Sequence, residues 1–190
     1  MDGQTIAILD FGAQYLQLIA RRVREHHVHS LVFPATATAE QLHSHGVCGI
    51  ILSGSHASAY QKNAPLPRPE IFKLGVPILG ICYGMQAACQ VLGGAVSPSS
   101  HGEFGRTRME THASDPILAH VPKTTTVWMS HGDVVSDFGP EFVSLAGTAH
   151  CPSAVVKHVD RPIYGVQFHP EVTHTPEGGQ ILRNFLYEIC

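Results

Sequence analysis

The chain has 190 residues, 44% of them hydrophobic, and its 12 basic and 15 acidic side chains give a formal net charge of −3. That length and apolar content suit a single domain that buries its own core, and a near-neutral charge without basic runs argues against nucleic acid or an anionic membrane as partner. No stretch approaches the roughly 18 consecutive apolar residues of a membrane span, and no basic-then-apolar leader opens the chain, so a cytoplasmic protein is expected.

Cysteines at 48, 82, 89, 151 and 190 form no CxxC pair and no even-numbered set, which disfavours a zinc ribbon, a redox dithiol and a disulfide scaffold. Histidine is abundant, with 14 copies. The clusters His26, His27, His29 and His43, His45 nevertheless lie in polar segments without ligand-spaced cysteines or carboxylates, so solvated surface histidines are expected and no metal site.

In chain order, β-branched apolar runs at 5–10, 30–33, 47–53 and 76–82 read as short buried strands. Between the first two, Leu16, Ile19, Ala20 and Val23 fall at i, i+3, i+4 and i+7, with Arg21, Arg22 and Arg24 left for the outer face, the pattern of an amphipathic crossover helix. Residues 39–45 and 68–74 supply two further short helices, the second stopped by Gly75 and the Val76-Pro77 step. Such alternation implies an α/β fold with an open, mostly parallel central sheet flanked by helices, and ligands outside the carboxyl ends of its strands. From 96 to 162 the pattern turns to shorter extended pieces, such as 125–129, 142–146 and 154–156, broken by Gly and Pro and expected to add antiparallel or edge strands. A last apolar strand at 163–168, a loop through Pro176 and a helix over 178–189 complete residues 1–190, with no repeat or linker to divide them.

Gly80-Ile81-Cys82-Tyr83-Gly84 has the form of a nucleophile elbow with cysteine in place of serine. A sharp strand-to-helix turn strains its central residue and brings neighbouring chain close, which calls for residues without side chains two before and two after it. The turn would set Cys82 at the N-terminus of a helix beginning near Gly84, where unpaired N–H groups and the helix dipole favour a thiolate. It would also aim the Tyr83 N–H at the reaction centre. Taken alone, the pattern fits a packed core cysteine equally well, which is the reading for Cys89. Gly165-Val166-Gln167-Phe168-His169-Pro170-Glu171 offers a base and a group to orient it. In extended backbone His169 and Glu171 project to one side, and Pro170 fixes a torsion between them. Together with the elbow they make a Cys82, His169, Glu171 constellation.

These motifs resemble those of the class I glutamine amidotransferases over the whole chain. LDFGAQY, GICYGMQ, WMSHGD and GVQFHPEVTHT together resemble the GMP synthase branch of that family. The resemblance implies hydrolysis of glutamine's side-chain amide through a thioester on Cys82, with His169 as general base and acid and Glu171 as its support. It implies that the α-amino and carboxylate ends of glutamine are held by Gln86, Gly54, Ser130, His131, Gly132 and Asp133, the last on the ammonium. The oxyanion hole would pair the Tyr83 N–H with one from a loop that reads Ser-Gly-Gly-Pro in the family and Ser53-Gly54-Ser55-His56 here, which makes Ser55 the expected second donor. At a positive φ, the Cβ of Ser55 would cost about 1 kcal/mol or more, and the missing proline loosens the loop.

The branch further implies that ammonia passes to an ATP-pyrophosphatase synthetase, which uses ATP and Mg2+ to activate xanthosine monophosphate. No Ser-Gly-Gly-Val-Asp-Ser type loop occurs in these residues, so the synthetase is expected as a separate chain or as the rest of a longer protein. The end at Glu188-Ile189-Cys190, inside an apolar helix, favours the second. No cofactor is expected in this chain itself. The glutaminase of another branch, such as anthranilate synthase, and a catalytically silent regulatory module of the same fold are the alternatives, the latter motivated by Ser55-His56.

Overall fold

Alternation of apolar strand and amphipathic helix builds the first half of the chain in the computed structural model, which describes residues 4–190. Its elements are β1 (Thr5–Asp10), α1 (Leu16–Glu25), β2 (His29–Pro34), α2 (Ala39–Ser44), β3 (Val47–Leu52), a 3-10 turn (Pro69–Lys73), β4 (Ile78–Ile81) and α3 (Tyr83–Val91). The second half runs β5 (Ala95–Thr111), a 3-10 turn (Pro116–Leu118), β6 (Thr124–Asp137), β7 (Phe142–Gly147), β8 (Val155–His158), β9 (Ile163–Val166) and α4 (Gly178–Asn184), which continues as a π-turn over Phe185–Ile189.

One sheet holds all nine strands in the order β2-β1-β3-β4-β9-β8-β7-β5-β6. The first five are mutually parallel and the remaining pairings antiparallel. Helices cover both faces of the parallel part, so its strands are apolar on both sides. Ile6 and Ile8 of β1 pack with Leu16, Ile19, Ala20 and Val23 of α1 and with Ile181 and Leu182 of α4. The alternate residues Ala7 and Leu9 face Leu42 of α2 and Tyr83 and Ala87 of α3. Thr38 starts α2 with a capping box, its hydroxyl accepting from the Gln41 N–H while its own N–H donates to the Gln41 side chain.

The antiparallel half differs from the expectation of short pieces only. β7 and β8 are short, but β5 and β6 form a hairpin of 17 and 14 residues. The Gly and Pro residues that broke the sequence pattern are absorbed within the strand: the register shifts between Pro98 and Glu103, and Gly105 takes φ +98°. The segment expected as a helix at 68–74 is the 3-10 turn, and the expected last helix divides into α4 and the π-turn. Among the described residues no helix is long and apolar enough to cross a membrane. His27, His29, His43 and His45 are exposed as expected, and His26 is half-buried.

β4 and β9 lie side by side, with Ile81 opposite Val166. Their carboxyl ends therefore release Cys82 and the Gln167–Glu171 turn at the same rim of the sheet.

Candidate active site

Cys82 connects β4 to α3 with φ 52° and ψ −108°, a conformation outside the regions open to L-residues. Its N–H donates to the Val166 carbonyl at 2.7 Å, tying the elbow to β9. The two flanking glycines are required by proximity, since neither has a positive φ. A Cβ on Gly80 would lie 2.5 Å from the Met85 nitrogen, and one on Gly84 would lie 2.2 Å from the Leu52 carbonyl oxygen. The absence of those side chains lets α3 start directly behind the strand ends, with Cys82 as its N-cap.

The residue expected as base, His169, arrives from the turn after β9. His169 and Glu171 meet as expected, Nδ1 lying 2.8 Å from Glu171 Oε1, but through different backbone: β9 ends at Val166, and the pair is joined by an irregular turn instead of an extended strand. That turn is fastened from several sides. The His169 N–H donates to the Trp128 carbonyl. The Thr175 hydroxyl donates to the His169 carbonyl and accepts from the Trp128 N–H, and Arg22 of α1 donates to the Glu171 carbonyl. With Nδ1 committed to Glu171, Nε2 is the nitrogen left for Cys82, which lines the same small cavity as the ring. Burial disfavours the imidazolium, but the hydrogen bonds and charges of Cys82 and Glu171 override it and carry the His169 pKa up to about 10. Glu171 is 1% exposed, and its second oxygen, Oε2, has no partner among the described residues, so its acceptor strength is spent on His169.

Cys82 stands between two cavities. One, of about 240 Å3, is walled by Ser55, Gln86, Ser130, Gly132 and Asp133. The other, of about 90 Å3, is walled by Ala13, Gln14, Tyr15, Gly54, His169 and Glu171. The first brings together most of the residues expected to hold glutamine. Asp133 offers it a half-buried carboxylate with no ion-pair partner among the described residues. Gln86 donates from Nε2 to the Asp133 carbonyl and to Gln167 Oε1, so its amide oxygen is the atom left for a ligand. The 13–15 segment, the end of the LDFGAQY motif, is outside the expected site residues but borders the smaller cavity, where Tyr15 stacks edge-on against His169, ring centres 5.7 Å apart.

The profile of the family described as "Glutamine amidotransferase class-I" matches residues 7–189. The chain belongs to the class I glutamine amidotransferases. Among curated proteins, this amidotransferase is 47% identical over 98% of its length to a glutamine-hydrolyzing GMP synthase of Caldanaerobacter subterraneus subsp. tengcongensis, and covers 36% of that protein. It is 50% identical, over the same share, to one of Thermosynechococcus vestitus, covering 35% of it. The chain thus spans about a third of the length of the curated relatives it matches. Among solved structures, a Thermoplasma acidophilum protein provisionally described as one subunit of a GMP synthase superposes with TM-score 0.89 at 33% identity, over 98% of this chain and 94% of that one. A Thermotoga maritima glutamine amidotransferase shares the fold, with TM-score 0.79 at 18% identity, over 100% and 99% of the two chains.

In this amidotransferase the loop that departs from the family pattern carries no backbone penalty: neither Gly54 nor Ser55 has a positive φ. A Cβ on Gly54 would make only an ordinary 3.5 Å contact with His169. The Ser55 hydroxyl accepts from the Ala57 N–H and closes the turn that the missing proline would have stiffened. Neither Tyr83 nor Ser55 spends its own N–H on another described residue, and both border the larger cavity. The Ser55-His56 departure thus brings no left-handed backbone strain to this loop.

His131 is placed differently from its neighbours. Along β6 Ser130 and Gly132 are exposed while His131 is buried, although all three border the larger cavity. Its Nδ1 lies 3.0 Å from the Asp133 carbonyl and its Nε2 3.4 Å from Glu103 Oε2, and the Thr148 hydroxyl reaches both oxygens of that carboxylate at 2.8 Å. Both ring nitrogens thus face protein atoms, so His131 lines the cavity with its polar atoms already engaged. Cys151 completes this cluster, with donor atoms of Glu103, His131 and Cys151 all within 4.8 Å of one another. Ligand spacing in the sequence does not reveal such a group, because its members come from three separate segments. Burial, with the Glu103 charge beside it, pushes the Cys151 thiol up to about 12. Cys89 is core as expected, and burial drives its thiol to about 12 as well.

Proposed function

We propose that this chain is the glutaminase part of a GMP synthase, releasing ammonia from glutamine for a synthetase partner. The observation that carries the reading is the Cys82–His169–Glu171 arrangement at the start of α3, opening on a cavity that offers the Asp133 carboxylate and the Gln86 amide oxygen. A carboxylate and a neutral acceptor suit an α-ammonium group, while Ser130 and Gly132 stand beside them for the α-carboxylate.

With glutamine bound, the Cys82 sulfur attacks the amide carbon and His169 holds the thiol proton as imidazolium, steadied by Glu171. The oxyanion of the tetrahedral intermediate is received by the Tyr83 and Ser55 N–H groups. His169 returns the proton to the departing nitrogen, the C–N bond breaks, and ammonia leaves a γ-glutamyl thioester. A water deprotonated by His169 then attacks the thioester carbon, the C–S bond breaks, and glutamate is released with the thiol restored.

The partner would be an ATP-pyrophosphatase region, using ATP and Mg2+ to activate xanthosine monophosphate for amination to GMP in purine biosynthesis. The name and additional length of the curated relatives support this over another branch such as anthranilate synthase. Five free thiols support a reducing, cytoplasmic setting. In the complete synthase, Cys82→Ala is expected to abolish glutamine-driven GMP formation while leaving formation from added ammonia intact. Loss of both activities in folded protein would refute the assigned role.

A further inference from the structure

Gln167 is 0% exposed, one residue beyond β9, and takes no part in the chemistry above. Its side chain nevertheless touches the nucleophile: Nε2 donates toward the Cys82 sulfur at 3.6 Å. We infer that Gln167 is a further catalytic residue, whose amide N–H holds and stabilises the Cys82 thiolate while Gln86 fixes that amide from behind.

The direction of this bond follows from a chain of groups whose roles are fixed in turn. The Asp133 backbone carbonyl only accepts, so the group facing it at 3.0 Å is the NH2 end of Gln86. The second proton of that NH2 requires an acceptor at 3.1 Å, which makes the near atom of Gln167 its oxygen. The NH2 end of Gln167 then faces the sulfur. Turning Gln167 over would set two NH2 groups against each other and an amide oxygen against a thiolate, both inside the core, where unmet polar groups are costly. The Gln167 backbone N–H is held by the Ala154 carbonyl at 2.9 Å, so the residue cannot swing away.

The sulfur of Cys82 therefore faces the Gln167 N–H as donor, the Ser130 carbonyl at 3.8 Å as acceptor of the thiol proton, and His169 across the small cavity. The Gln167 donor is unchanged in charge throughout the reaction. It stabilises the thiolate before attack, and again when the C–S bond of the thioester breaks and its electron pair returns to sulfur. The other titratable groups facing the sulfur are His169, backed by Glu171, and the Cys151 thiol. Gln86 and Asp133 line the glutamine cavity, so the same chain links occupancy of that cavity to the nucleophile.

The inference rests on the reading of Cys82 as nucleophile, and one experiment separates the two. Cys82 of this chain is alkylated with iodoacetamide across a range of pH, in wild type and in Gln167→Met, which removes the donor at similar volume. A hydrogen bond to a charged group predicts alkylation about tenfold slower near neutrality, with the rates converging at high pH, where the thiolate forms regardless. A folded Gln167→Met with wild-type rates overturns the inference. Where that variant fails to fold, Gln167→Glu keeps the shape and the acceptor for Gln86 but replaces the donor with an anion: slower alkylation supports the inference, and an equal or faster rate overturns it. On the Cys82→Ala background the Gln167 side-chain amide resonances are expected to move, and their staying in place also overturns it. Wild-type protein that does not label at Cys82 refutes both readings together.

Discussion

The strained backbone of Cys82 makes a prediction whose sign runs against ordinary expectation. At φ 52° and ψ −108°, the residue shares the positive φ of the left-handed region but not its ψ, and such conformations cost an L-residue on the order of 1–3 kcal/mol. Glycine escapes that cost but loses roughly 0.5–1 kcal/mol relative to alanine through its greater freedom in the unfolded chain. The difference leaves Cys82→Gly more stable than Cys82→Ala by about 1 kcal/mol, or a melting temperature roughly 2–4 °C higher in a domain of this size. Both variants lack the thiol, so the comparison removes effects of sulfur chemistry and differs by one methyl group. Calorimetry on the two proteins, with absent glutaminase activity confirmed in each, is the assay. At a relaxed position the glycine variant would melt lower, and that result would refute the claim that the elbow stores strain at Cys82.

Two further expectations test the surroundings of the elbow. Gly84→Ala places a Cβ 2.2 Å from the Leu52 carbonyl oxygen and is expected to cost about 1–3 kcal/mol in a thermal melt, whereas Gly54→Ala, with its nearest atom at 3.5 Å, is expected within about 0.5 kcal/mol of wild type; equal melting of the two would contradict the close approach of α3 to β3. The His169 pKa is raised from 6.5 to about 10, so the folded state holds this proton more tightly than the unfolded chain does. The resulting stabilisation is fully present below about pH 6.5 and is lost as the pH rises through about 10. Glu171→Gln removes one of the two partners that raise the value and is expected to flatten the fall in melting temperature across that window, while lowering glutaminase kcat on the order of a hundredfold; an unaltered pH profile would show that Glu171 does not support the imidazolium.

Much of the site is legible in the sequence because its parts are local. The elbow is five consecutive residues with a glycine on either side of the cysteine's neighbours, and His169 and Glu171 are two residues apart. The parallel half of the sheet is legible because burial on both faces leaves continuous apolar runs bounded by helix signals. What escapes a sequence reading depends on chain brought together from afar. Gln167 sits within a motif, yet its role needs Cys82 and Gln86 from the elbow and α3 and the Asp133 carbonyl from β6, two other segments. The Glu103, His131, Thr148 and Cys151 cluster likewise draws on separate strands and loops. Ser130 to Asp133 do share one wall of the cavity, but that both His131 ring nitrogens are taken up depends on the Asp133 carbonyl and on Glu103 from β5. The long β5–β6 hairpin reads as fragments, because local rules treat Pro98, Gly102 and Gly105 as breaks, whereas a twisted ribbon accommodates them as a bulge.

β6 joins two tasks that are usually described separately. Its Ser130–Asp133 stretch forms the cavity wall, and its Trp128 carbonyl holds the backbone of His169. The proposed anchor for the α-groups of glutamine and the mount of the proposed base therefore belong to one rigid rod, with a fixed advance of about 3.3 Å per residue. Such a rod measures length. An amino acid amide one methylene shorter than glutamine, once seated at the anchor, presents its carbonyl carbon short of the Cys82 sulfur, and a paired strand has no slack with which to bring the two ends together.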